Sequence, residues 1–120
     1  MNEECKQLIN KFRSVSKDTA IERLIKYYRF DENPIVERSS TKRAEYHYEE
    51  LQYMIDDLEE QYYKHQQKME ENENALAEYK RTSDNTYGIK LLAENVELER
   101  NVLEKIQDII TEELKDCQLF

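Results

Sequence analysis

The sequence predicts an all-α protein: a long antiparallel helical hairpin, coiled-coil-like, with two short N-terminal helices packed at one end. Three observations carry this. The 120 residues include one Gly and one Pro, while 38% are charged. Folds rich in tight turns need Gly and Pro for unusual backbone angles, and long helices joined by few loops do not. Apolar residues also recur at alternating steps of four and three over a long central stretch, the signature of a helix with one buried seam.

The elements follow in order within a single domain, 1–120. Cys5, Leu8, Ile9, Phe12 and Val15 stand at helical spacing, and the polar Ser14, Ser16, Lys17 and Asp18 interrupt them. Thr19, three residues before Glu22, has the spacing of a capping box, and Ile21, Leu24, Ile25 and Tyr28 follow on one face. Residues 1–33 are therefore expected to form two short helices. The second should end in the segment from Phe30 to Pro34, because proline cannot donate to a helical carbonyl and disfavours helix in the residue before it.

Ser39, Ser40 and Thr41 offer N-caps for a long helix over 39–81. Its seam is Ala44, Tyr48, Leu51, Ile55, Leu58, Tyr62, His65, Met69, Asn72, Leu76 and Tyr79. With Tyr48 as an a position, His65 and Asn72 fall at consecutive d positions, where buried polar residues set register at some cost in stability, unless the hairpin is thin and wet there. The run Arg81 to Gly88 is polar and turn-rich. A return helix over 86–117 follows, with Ile89, Leu92, Val96, Leu103, Ile106, Ile110 and Cys117 in a similar rhythm that Glu99 and Glu113 interrupt. A second stripe of Leu91, Leu98, Val102 and Ile109 widens its apolar face, which points to packing on more than one neighbour. The return helix is the shorter of the two, so the N-terminal helices are expected to cover the long helix near 41–55.

The formal net charge of −9 is unevenly spread. Residues 1–48 carry ten Lys/Arg and eight Asp/Glu, net +2, and residues 49–120 carry eight and nineteen, net −11. So acidic a chain is a poor general ligand for phosphate backbones and a better one for a basic surface. Solubilising the helices is the simpler use of the same charge. No membrane-length apolar run and no signal-peptide pattern is visible, and a reducing cytoplasmic setting is expected, with Cys5 and Cys117 as thiols.

Chemistry has little to work with. His47 and His65 lack the Glu three residues before them that di-iron bundles use, and no Cys-x-x-Cys, His-Glu-x-x-His or phosphate-binding glycine loop occurs. No catalytic residue, metal site, cofactor or small-molecule substrate is expected. Tyrosine is the stronger signal, with nine Tyr, three Phe and no Trp. Tyr46 and Tyr53 fall at f positions, Tyr63 and Met54 also lie off the seam, and no basic residue occurs between Glu49 and Glu60. Tyrosine offers large contact area at low entropic cost. Tyr46, Glu49, Glu50, Tyr53, Asp56, Asp57 and Glu60 are therefore the candidate partner-binding residues, unless the N-terminal helices cover Tyr46 and Tyr53.

In composition the chain is similar to small phage and mobile-element proteins that block a host protein, inhibitors of bacterial immune systems among them. That resemblance attaches to no particular motif. It implies a non-enzymatic inhibitor that acts by binding; the charge and the lack of a membrane-length apolar run add that the partner is a basic protein, without direct contact to nucleic acid or membrane. A structural coiled-coil subunit or adaptor, with a homodimer possible, is the alternative. A third reading is a nucleic-acid mimic using the acidic run, or a regulator using Lys11, Arg13, Lys17, Arg23, Lys26 and Arg29, a set interleaved with Asp18 and Glu22.

Overall fold

The computed structural model describes residues 1–28, 34–117 and 119, with backbone only at 27–28 and 34–40. Four helices make up the described residues: α1 (Glu3–Ser14), α2 (Lys17–Tyr28), α3 (Pro34–Thr82) and α4 (Thr86–Asp116). The long helices α3 and α4 pack against each other, and the fold is the helical hairpin that the seam implies. The chain divides into two compact units, Met1–Asp57 with Ile109–Phe120, and Leu58–Asp108.

Local chemistry sets the helix ends. Asn2 caps α1, its side-chain oxygen accepting from the Cys5 amide at 2.8 Å. Glu3 and Glu4 lie in the first turn and Lys11 and Arg13 in the last, each sign matched to the helix dipole. The chain breaks at extended Val15, and Ser16 then caps α2 by accepting from the Thr19 amide at 3.2 Å. The capping-box reading of Thr19 with Glu22 is therefore displaced by one turn: Ser16 comes first and already satisfies the exposed amide.

The long helix also starts earlier than 39–41. It begins at Pro34, so Ser39, Ser40 and Thr41 lie inside it. Proline suits a first helical position, since its fixed φ is helical and its missing N–H would have had no intrahelical partner. Serine and threonine cap only where the preceding backbone departs from helix. The rest of the expected turn, 29–33, lies outside the described residues.

In the first unit all four helices contribute to one core. Cys5, Ile9 and Phe12 of α1, Ala20 and Leu24 of α2, Ala44, Tyr48, Leu51 and Ile55 of α3, and Ile110, Leu114 and Cys117 of α4 are buried together with Leu119. The Phe12 and Tyr48 rings lie 5.8 Å apart, so α1 covers this part of the long helix. Ion pairs Arg13–Asp56 (3.0 Å) and Lys17–Glu49 (3.4 Å) add contacts from α1 and α2 to α3, and Lys115 pairs with Glu4. All are exposed, worth about 0–1 kcal/mol each. The Arg23 guanidinium donates to the Leu119 carbonyl, holding the chain beyond α4 against α2. Leu114 is a seam residue that the sequence reading passed over: the step from Ile110 to Cys117 runs through Leu114, and Glu113 flanks the seam rather than interrupting it.

The second unit is the two-helix part with its turn. Tyr62, Val96, Leu103 and Ile106 are buried, and the seam residues from His65 to Tyr79 are only half-buried. Two helices can shield one stripe each and no more, so burial is shallower than in the first unit. For the same reason the second apolar stripe of α4 does not find a further neighbour at every position: Leu91 and Leu98 are exposed, Leu98 at 62%, while Val102 and Ile109 are half-buried.

Backbone and side-chain hydrogen bonds hold the turn. The Ser83 amide donates to the Tyr79 carbonyl, and Asn85 caps α4 by accepting from the Gly88 amide at 3.1 Å. Gly88 sits under the Tyr79 ring, where an added Cβ would lie 2.6 Å from the Tyr79 hydroxyl oxygen. The single glycine is thus used for close approach of a ring, not for turn geometry.

Candidate functional site

The first unit carries a groove of about 550 Å³ lined by Tyr46, His47, Glu49, Glu50, Leu51, Tyr53, Met54 and Glu113. Helical geometry explains the set. Tyr46 and Tyr53 are seven residues apart and share one side of α3, while His47, Leu51 and Met54 follow at i, i+4 and i+7 along the adjoining flank. Glu113 enters from α4, at the position that looked like a break in the apolar rhythm. Leu51 is buried and Met54 half-buried, so the floor is apolar; Tyr46 and Tyr53 are 66% and 77% exposed. The N-terminal helices therefore leave these two tyrosines open, which decides between the two alternatives that the sequence allowed. The helices instead pack on the flank that carries Glu49 and Asp56.

No family model, curated protein or solved structure matches the chain.

Four of the seven residues singled out from sequence, Tyr46, Glu49, Glu50 and Tyr53, meet at this groove. Glu49 is tied to Lys17, and Asp56 lies off the groove, tied to Arg13. Asp57 is exposed and does not line it. Glu60 belongs to the second unit, where it pairs with Lys64 at 3.1 Å, one helical turn on. The acidic run thus divides: Glu49 and Asp56 pair with the N-terminal helices, Glu49 from the edge of the groove, while Glu50 lines the groove without such a pair. His47, Leu51, Met54 and Glu113 were missed as site residues, Met54 having been noted only as lying off the seam. Leu51 read only as seam, and His47 carries no flanking motif. Glu113 is distant in sequence, and only the return of α4 brings it in.

The lining includes, among the described residues, three carboxylates and no Lys or Arg, so the groove suits a positively charged or amphipathic ligand. Among the described residues no group of three or more His, Cys, Asp or Glu side chains is placed to hold a metal ion, and no helix is long and apolar enough to cross a membrane. Both cysteines are buried core thiols, and burial raises the pKa of the Cys117 thiol. An unreactive small core residue is the reading that fits such a thiol.

Of the N-terminal cations, Arg13, Lys17 and Arg23 are engaged within the fold, and Arg29 lies outside the described residues.

Proposed function

We propose that the chain is a non-enzymatic interaction protein that binds a basic surface of a protein partner through the Tyr46–Tyr53 side of α3. The observation that supports it most is the coincidence of two exposed tyrosines with an apolar-floored groove lined, among the described residues, by carboxylates and no Lys or Arg. Binding hot spots combine buried aromatic contact with a polar rim, and charge complementarity supplies partner choice and association rate. The short, acidic, motif-poor composition extends the proposal to a small phage or mobile-element inhibitor that blocks a host defence protein in the cytoplasm.

The test compares the chain with a variant carrying Y46A, Y53A, E50Q and E113Q. All four residues are exposed, so the variant is expected to keep its helical circular dichroism. A basic protein recovered from bacterial lysate by the parent and lost by the folded variant supports the proposal. Recovery of the same proteins by both sinks it.

A second reading, a self-associating structural subunit, is favoured by a different surface. Tyr87, Leu91 and Leu98 are exposed on α4 in the second unit, an apolar stripe of the kind that helix association buries. Sedimentation across a concentration range decides between the two: a dimer that dissociates in L91E/L98E supports the structural subunit, and a monomer throughout removes it.

A further inference from the structure

The groove permits a narrower statement about its occupant, one that rests on the basic-partner reading above. An acidic patch alone accepts lysine and arginine alike, and an apolar groove alone accepts leucine or phenylalanine. Here the two are combined. The floor is Leu51 and Met54, the rim carries the Tyr46 and Tyr53 rings, and the carboxylates come from two helices, Glu50 on α3 and Glu113 on α4. Glu49 is already joined to Lys17, whereas Glu50 and Glu113 have no ion-pair partner among the described residues.

Such a site selects a cation that is flat, poorly hydrated and able to bond two acceptors approaching from different sides. A guanidinium has five N–H donors in a rigid fork and stacks on aromatic faces. Its methylene stem lies readily along apolar surface while the charged head stays at the rim. An ammonium is a compact, strongly hydrated charge, and stripping its water over an apolar floor costs more. The groove volume of about 550 Å³ leaves room for residues flanking the arginine as well. We propose that the groove seats an arginine side chain of a basic protein segment, its stem over Leu51 and Met54 and its guanidinium between Glu50 and Glu113.

The full chain provides its own reporter. Of its three methionines, Met54 lies in the groove and Met69 in the second unit. Methyl-labelled methionine can be followed by NMR while blocked peptides of repeated Arg-Ala-Ala or Lys-Ala-Ala, equal in length, are added. The expected result is a saturable shift at Met54, with Met69 unmoved, and binding of the arginine peptide roughly five- to tenfold tighter than the lysine peptide, the scale one further hydrogen bond from the guanidinium fork to a carboxylate adds. The E50Q/E113Q variant, folded by circular dichroism, should lose that preference. Equal response to both peptides, or an arginine preference that survives in E50Q/E113Q, overturns the arginine inference and leaves the basic-partner reading standing. No response at Met54 to either peptide overturns both.

Discussion

His65 and Glu99 face each other across the second unit, with Nδ1 2.5 Å from Oε2. His65 is a polar residue at a d position of α3, and Glu99 is a polar residue in the apolar rhythm of α4. Each looks like a fault in its own helix, and the two faults meet. A carboxylate can only accept, so the imidazole presents Nδ1–H to it. The side chains are 29% and 19% exposed, between a surface pair and a buried one.

Removing one partner strands the other in a half-buried position. E99L is expected to cost about 1–2 kcal/mol, below the penalty of breaking a fully buried pair because solvent reaches both groups. H65L/E99L should recover that loss or exceed the parent, since an apolar pair fits the seam. Urea unfolding of both singles and the double gives the coupling energy. Strictly additive losses would show that the contact contributes no coupling.

Gly88 has the opposite relation to its neighbour Tyr79: it matters by being small. In a helix, Gly→Ala normally gains about 1 kcal/mol from propensity. G88A in the native chain should fail to show that gain, because the new Cβ meets the Tyr79 ring. In a Y79A background the same substitution should stabilise by about 1 kcal/mol. Thermal unfolding of the four proteins reads the difference, and equal effects in both backgrounds would refute the contact.

The acidic residues of α3 should separate into two classes. E49Q and D56N remove exposed pairs to Lys17 and Arg13, so each is expected to cost up to about 1 kcal/mol at low salt and less as salt is raised. E50Q should leave stability unchanged and alter binding alone. Denaturation midpoints at low and high salt, set beside partner capture, test the division. A loss of stability in E50Q would place that residue among the structural acids.

Cys117 supplies a pH-dependent expectation. Desolvation by burial favours the neutral thiol and raises its pKa, opposed by smaller backbone hydrogen-bond contributions. An unfolded chain then ionises first as pH rises above about 8.5, so it binds fewer protons than the folded chain. Stability from this group is present below that pH and declines above it. C117A should flatten the decline, although it also leaves a small cavity. Thiol labelling of the native protein should be slow at neutral pH and follow unfolding; rapid labelling would contradict burial of Cys5 and Cys117.

Helix class, the hairpin and the α3 seam were all legible in the amino-acid order, because a 3.5-residue apolar repeat is a local property that backbone geometry converts directly into one buried stripe. Every seam residue from Ala44 to Tyr79 is buried or half-buried. Helix ends were less legible: competing caps stood close together, and Ser16 and Pro34 prevailed over Thr19 and Ser39–Thr41. The site was legible in half. Periodicity put Tyr46 and Tyr53 on one side of a helix, but their exposure depended on which flank α1 and α2 occupied, a choice made by Phe12 against Tyr48 and by two ion pairs from distant parts of the chain. Only tertiary structure could bring Glu113 to the groove or Glu99 to His65, because sequence separation carries no information about which residues face each other until α4 has turned back along α3.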